Sequence, residues 1–452
     1  MSDPVVATDP VDGAADAAGS GGRADIHARL VEILLSLAVV ASFGWTAYFF
    51  VNNGYLPQPF VFDTNDTFMD WFNTAYWANH PGAYSVWRTI YPPLSFAFLD
   101  IVSLPGCYRE SSFFARDCDW LARGAIYGFY LLDVALVWLA LRRADRRTAP
   151  MRTAAFALGL PLLFTLERGN LILVAFACFV LAYGGVARSR WVKALAIAAT
   201  INFKPYLLLP ALGHAVKREW RALELAGFAT VALYLVTLAM VGGGSPMEIV
   251  SNTANWVVFQ SGQIWGEIYF STSYAPLLLL RTAPIPVLEF VPSKLVDTIE
   301  MVVPIAIRAA QAAALTALAA AWVQPRAIPG HRVSALLLAA YLVTQSPGGY
   351  TQTFLVFLVM LEPFRRPGPI VAIVSAYILC LVGEWPFSVV LEVSSNSWLG
   401  ERPVNPVFAI GLGQFLRPGL VMLILWGLAF DTVVQAAKAH RIRRPSLWLA
   451  AA

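Results

Sequence analysis

Three carboxylates and four aromatic side chains crowd into one stretch, Phe62-Asp63-Thr64-Asn65-Asp66-Thr67-Phe68-Met69-Asp70-Trp71-Phe72-Asn73. Asp66 and Asp70 are four residues apart, so on a helix they share a face. A carboxylate in apolar surroundings at a bilayer edge has a raised pKa, which suits a general base. The same spacing also serves a solvated acidic loop capping a short interfacial helix, with Asp66 as the N-cap. Further along, Glu167-Arg168-Gly169-Asn170 joins two apolar runs with a charge pair and almost no loop. Ionisable groups at membrane depth are costly, and they pair with one another or line a cavity. Lys204, within Ile201-Asn202-Phe203-Lys204-Pro205-Tyr206, is either a snorkelling ammonium or a point charge for an anionic phosphate. Arg168 and Lys204 on one face of a membrane would form a two-cation phosphate clamp, with Arg417 in the last apolar run as a third candidate. Glu167, Asn170, Tyr206, Tyr350 and Gln352 lie in the same polar turns and complete the candidate substrate-binding set.

Elements that position such groups follow from composition. Hydrophobic residues make up 58% of the 452 positions and charged ones only 13%, too little charge to cover a soluble surface of this size. Aromatic residues also reach 13%, which excludes disorder over most of the chain. An integral membrane protein built from helices remains. The first span is expected at Leu30–Val51, and apolar runs then recur to residue 430. Several fall short of the ~20 residues of a straight span, so short or broken helices are expected around Pro205 and Pro347. Residues 1–29 are rich in Ala, Gly, Asp and Pro and read as a disordered cytoplasmic tail.

Positive residues cluster between the runs at Arg142–Arg147, Arg188–Arg190, Lys217–Arg221, Arg326–Arg332, Arg365–Arg366 and Lys438–Arg444. Placing all of them in the cytoplasm gives one consistent solution with both termini inside and about 12 crossings. The apolar stretch Leu94–Leu104 then dips into the outer face or lies on it. Long outer loops are expected at 52–120, 243–298 and 384–406, the inner turns are simple basic stubs, and 431–452 is a basic cytoplasmic tail. Recognition or chemistry therefore belongs on the outer face. Cys107 and Cys118 would pair in an oxidising compartment, whereas Cys178 and Cys380 read as packing residues. No Walker A loop, GxGxxG, Ser-His-Asp spacing or zinc-ligand cluster is present.

The order of these pieces resembles glycosyltransferase family 87 over roughly 60–355. They run as a first span, an acidic–aromatic outer loop, Tyr91-Pro92-Pro93, then Gly169-Asn170, Lys204-Pro205 and Ser346-Pro347. The resemblance implies an all-α polytopic membrane protein with a GT-C-like fold and an outer-face active site. It implies inverting sugar transfer from a polyprenyl-phosphate donor, mannose in some relatives, to a glycan or glycolipid acceptor. It implies Asp66, or Asp70 if the register slips, as the base, and no metal, cofactor or nucleic acid. Asp70 stands where the family carries Tyr, and Gln352 and Thr353 stand where relatives often carry a histidine pair. Trp256 and Trp265 with Gln260 and Gln263 are candidates for a sugar-stacking platform, or are interfacial tryptophans with their neighbours. The bacterial inner membrane is the implied location. Competing readings are a lipid-linked glycan transporter or flippase, an O-antigen-type ligase or polymerase, and a structural scaffold.

Overall fold

The computed structural model describes residues 13–60, 63–260, 270–282, 292–345, 347–400 and 402–442. Phe62, Gln263, Trp265 and Ser346 lie outside the described residues, as do the side chains of Trp256 and Gln260. Helices dominate, and six are long and apolar enough to cross a membrane: Ile26–Asn53, Trp120–Ala144, Ala149–Arg168, Trp220–Val241, Ser293–Val323 and Leu412–Arg441. Shorter apolar helices lie at Ile172–Tyr183, Pro205–Val216, Gly330–Thr344, Gly349–Met360 and Pro367–Leu379, and all but Pro205–Val216 are largely buried. The division follows burial. Phe228, Val231, Met301 and Leu315 on the long helices are exposed, whereas every side chain from Phe354 to Met360 is fully buried. A short helix is tolerated inside because its end groups find protein partners rather than hydrocarbon.

In chain order the helices begin with α1 (Gly13–Asn53), α2 (Met69–Ala78), α3 (Pro93–Ile101), α4 (Ser112–Cys118) and α5 (Trp120–Ala144). Then come α6 (Ala149–Ala157), α7 (Leu160–Arg168), α8 (Ile172–Tyr183), α9 (Arg190–Phe203), α10 (Leu208–Ala211) and α11 (Gly213–Val216). The rest are α12 (Trp220–Val241), α13 (Pro246–Gln260), α14 (Ser293–Val323), α15 (Gly330–Thr344), α16 (Gln352–Met360), α17 (Pro367–Leu379) and α18 (Leu412–Ile442). Prolines open α3, α6, α7 and α17, where a missing N–H costs nothing. Asp119 caps α5 by accepting from the Ala122 amide at 3.0 Å, and its other oxygen accepts from the Leu104 amide and the Tyr108 hydroxyl, each at 2.9 Å. Cys107 and Cys118 form a disulfide beside this knot.

The basic turns and the polar turns fall at opposite ends of the bundle. Helix α5 leaves Asp119 and ends at Arg142 and Arg143, α7 returns to Arg168, and α9 rises from Arg190 to Lys204. From Lys217 and Trp220, α12 climbs to Gly242, and Gly244 packs against the ring of Tyr84. Asn252 of α13 donates to the Tyr84 and Thr89 carbonyls at 3.1 and 3.0 Å, tying the second loop to the first.

Four expectations need correction. First, the fold is not wholly α. β1 (Pro386–Glu392) pairs antiparallel with β4 (Val407–Gly411), and β2 (Ser395–Asn396) with β3 (Pro403–Val404). The run Phe387-Ser388-Val389-Val390 has a β-branched, alternating character that the reading of 384–406 as loop overlooked. Second, α1 begins at Gly13, inside the supposed tail 1–29, because Ala14, Ala15, Ala17 and Ala18 favour helix. Third, α18 carries the supposed tail from 431 on to Ile442, since no breaker interrupts it. Fourth, the basic turns, expected to be simple stubs, are not. Arg152 pairs with both carboxylate oxygens of Glu32 at 2.7 and 2.8 Å, and Arg332 binds Glu362 at 2.7 Å and Asp431 at 2.6 Å, all essentially buried. Helix α3 has only nine residues, about 14 Å at 1.5 Å each, and so cannot cross.

Candidate functional site

Backbone geometry brings the acidic loop onto the Glu167–Asn170 turn. Helix α7 ends at Gly169, whose left-handed φ of +59° closes the C-cap. A Cβ there would stand 3.0 Å from the Phe68 Cα and 3.1 Å from its carbonyl oxygen, so only glycine lets the two segments approach this closely. Phe68 is itself left-handed at φ 61°, and its amide donates to the Glu167 carbonyl at 2.9 Å. This crossing places Asp66 on one side of the Arg168 guanidinium and Asp70 on the other.

Arg168 Nη2 donates to Asp70 Oδ1 at 2.5 Å, while Nη1 donates to the Asp66 carboxylate and, at 3.3 Å, to the Asp66 carbonyl. The second Asp70 oxygen accepts from Asn170 Nδ2 at 2.7 Å, and Asn170 Oδ1 accepts from the Ile172 amide at 3.0 Å. Both oxygens of Asp70 are thereby taken, and 20% of its side chain is exposed against 43% for Asp66. Burial pushes the Asp66 carboxyl above its usual value, with the charges of Asp70 and Asp63 adding to it against Arg168. Burial also acts on Asp70, but Arg168, Asn170 and Lys204 outweigh it and hold that carboxyl below the usual range. Two carboxylates on one guanidinium therefore differ in setting: Asp70 is the more enclosed and has both oxygens bonded, and Asp66 is the more exposed.

Lys204 completes this end of the bundle. Its ammonium lies 4.4 Å from the centre of the Tyr91 ring and 6.0 Å from that of Tyr350, and it acts on Asp70 through space. Among the described residues it forms no ion pair. The Tyr91 hydroxyl faces Asp70, Thr74, Arg168 and Asn170, and burial raises its pKa so that it remains a proton-bearing group. Tyr206 is stacked on Tyr341 at 5.4 Å, with a buried hydroxyl that has no partner among the described residues. Tyr350 is stacked on Phe164 at 6.1 Å, and Phe164 meets Phe270 edge-on at 4.6 Å.

Three candidates serve other ends. Arg417 pairs with Glu384 at 2.7 Å and covers the Phe270 ring at 5.0 Å, so its bonded partner is Glu384 rather than either aspartate. Gln352 is fully buried and donates to the Ser271 carbonyl at 3.4 Å. Glu167 accepts from the Thr67 hydroxyl at 3.3 Å, which helps to seat the acidic loop.

The sheet region also latches onto that loop. Thr64 Oγ1 meets Ser395 Oγ at 2.5 Å and donates to the Asn396 carbonyl at 2.7 Å, while Ser395 donates to Asp63 at 3.2 Å. Trp398 meets Phe68 edge-on at 6.1 Å, and the Gln58 side chain brackets the Ala409 backbone at 2.6 and 3.0 Å. Ser395, Asn396 and Trp398 thus brace the Phe68 crossing, a role with no signal in the sequence. Tyr91, Asp63 and Thr74 were also missed as site residues. The Tyr-Pro-Pro turn is the signal that would have found Tyr91, since it stiffens the chain where the ring must sit.

No protein-family model, curated protein or solved structure matches this chain.

Proposed function

We propose that this protein is an inverting membrane glycosyltransferase. It moves a sugar from a polyprenyl-phosphate donor to a glycan or glycolipid acceptor at the outer face of a bacterial plasma membrane. The observation that carries this reading is the Asp66–Arg168–Asp70 group beside Lys204, at the end of the bundle opposite the basic turns. That segregation supports an outer location under the positive-inside rule, as does the Cys107–Cys118 disulfide at the same end. Counting each passage between a basic turn and a polar turn, with short and broken helices included, supports about 12 crossings and a GT-C-like arrangement.

In the mechanism, Asp66 takes the proton of the acceptor hydroxyl as its oxygen bonds to C1 of the sugar. The bond from C1 to the phosphate oxygen breaks on the opposite side, with inversion, and the electron pair leaves with the phosphate. Arg168 is neutralised by two carboxylates, so its part is to hold the dyad. The leaving phosphate then falls to Lys204, whose charge is unpaired among the described residues and flanked by Tyr91 and Tyr350. Fixed positive charge aimed at a developing anion is worth ~3 kcal/mol per contact by analogy with oxyanion holes.

The test is transfer from a radiolabelled polyprenyl-phosphate sugar by the purified protein in proteoliposomes. Lys204→Ala is expected to raise the apparent KM for donor and lower kcat by about 10²-fold, with the acceptor KM little changed. A larger loss of acceptor binding, or no transfer by the wild type from any such donor, would reject the reading. The pH profile supplies a second check. Because the base must be deprotonated, kcat/KM is expected to fall as pH drops through an Asp66 pKa above the ordinary aspartate range. Asp63→Asn removes a charge that raises that pKa, so the acid limb should move to lower pH; an unmoved limb counts against Asp66.

One feature favours the transporter reading. Asp133, midway along α5, is fully buried, and neither carboxylate oxygen has a hydrogen-bond partner among the described residues. It is the sole acidic residue of α5, however, whereas Asp66, Asp70, Arg168, Asn170 and Lys204 gather at one end, as an enzyme acting at a membrane surface requires.

A further inference from the structure

We propose a second, independent site at the basic end of the bundle, a crevice that binds the phosphate headgroup of an anionic phospholipid. The crevice has a volume of ≈ 640 Å³ and lies between the Lys217–Glu219 turn and the end of α14, lined by Lys217, Arg218, Glu219, Val323, Pro325 and Arg326. Its walls are fastened to each other, because Lys217 Nζ donates across it to the Pro325 and Ile328 carbonyls. Lys217 is therefore a strut that still contributes its charge. The backbone turns sharply at Arg218, with φ 59°, which sets the Arg218 guanidinium 4.9 Å from the centre of the Trp322 ring. Stacking of this kind pre-organises a guanidinium while leaving its N–H edge for an oxyanion.

Charge at the crevice is unbalanced in favour of an anion. Glu219, the one acidic group in the lining, is turned to His214 Nδ1 at 2.7 Å. Neither Arg218 nor Arg326 forms an ion pair among the described residues. The surroundings select a lipid over a soluble phosphate. Trp220 and Trp322 meet edge-on at 6.0 Å at the crevice, and both are substantially exposed, as interfacial tryptophans are. Two turns further into the apolar zone, Phe228 on α12 and Leu315 on α14 are 73% and 67% exposed, giving acyl chains a surface to lie on. Basic pockets between helix ends, with aromatic side chains at headgroup level, suit the phosphodiester of an anionic lipid.

Native mass spectrometry of the full-length protein, released from mixed micelles of phosphatidylglycerol and phosphatidylcholine, tests this. The wild type is expected to retain phosphatidylglycerol selectively. The double variant Arg218→Gln with Arg326→Gln should weaken that binding about 30-fold, from the loss of two headgroup contacts. Phosphatidylcholine retention should stay the same, and so should the melting temperature. The control pair Arg142→Gln with Arg146→Gln alters another basic turn and should leave phosphatidylglycerol binding within about twofold. Equal loss in the control would show a diffuse surface charge and overturn the site. Unchanged binding in the double variant would do the same, as would displacement of the lipid by millimolar inorganic phosphate, which would mark a soluble ligand. Sugar transfer plays no part in this readout, so its outcome is separate from that of the enzyme reading.

Discussion

Asp66→Asn is expected to lower the rate of sugar transfer by about 10²–10⁴-fold, the range a positioned general base supplies. Its structural footprint should be small, because the side chain is 43% exposed and Arg168 keeps its bonds to Asp70. The melting temperature should therefore hold while kcat falls and donor binding persists. Asp70→Asn should behave differently. Asp70 accepts from both Arg168 and Asn170, and its neutral replacement presents an amide N–H to one of those donors. That change leaves a mostly buried guanidinium with a weaker partner, so both stability and activity should drop. The two variants distinguish a base from a brace. Wild-type transfer in both would remove the basis of the proposed chemistry, and equal loss of melting temperature in both would show that Asp66, too, is structural.

The second large effect is on stability. Arg332→Met is expected to destabilise the protein by about 3–5 kcal/mol, because it takes from the buried Glu362 and Asp431 the cation that bonds both, leaving His331 beside Glu362 at 3.1 Å and Arg366 beside Asp431 at 3.6 Å as weaker partners. The network joins α15, the turn before α17, and α18, while Arg152 extends it to Glu32 on α1 and to the Glu362 carbonyl at 2.8 Å. One arginine therefore holds helices from distant parts of the chain. Replacing the network by apolar residues together, Arg332→Met with Glu362→Leu and Asp431→Leu, should recover much of the loss, since a buried ion pair exchanged for matched apolar groups is often neutral. Thermal unfolding in detergent is the measurement, and a melting temperature unchanged by Arg332→Met would refute the account. The pH dependence has a definite sign. Burial acts to raise the Glu362 carboxyl, but Arg332 and His331 overcome it and hold the group at about 2, below its usual 4.5. The associated stability is fully present above the usual value and is lost as pH falls from there towards 2.

How much of this was legible in the chain differs between fold and site. The apolar runs, the segregation of basic turns from polar turns, and the low charge content are local or compositional properties, and they led directly to a polytopic helical bundle. Asp66, Asp70, Arg168 and Lys204 stood out because ionisable groups are rare in such a chain, and Asn170 because it adjoins Arg168 in a turn between apolar runs. Their roles did not follow from that. Arg168 was expected to serve a phosphate, yet its guanidinium is spent on two carboxylates, and Arg417 on Glu384. The choice between Asp66 and Asp70 was equally closed to spacing, which suggested one shared helix face with Asp66 as its cap; the structure instead puts Asp66 in the short turn Thr64–Asp66 and Asp70 in α2, parted by the left-handed Phe68.

Sequence by itself determined that this chain forms helices long and apolar enough to cross a membrane, which turns carry positive charge, and which few polar groups are candidates for chemistry. Those properties are set by solvation free energy, summed over neighbouring residues and indifferent to distant partners. Only the tertiary structure decided that Arg168 joins Asp66 and Asp70 across 98 to 102 residues, that Ser395, Asn396 and Trp398 brace the acidic loop, and that the basic end conceals a buried ion network. Hydrogen bonds and ion pairs act over a few ångströms and depend on angle. Which groups meet is therefore set by helix packing, to which each group contributes only a small part of the energy.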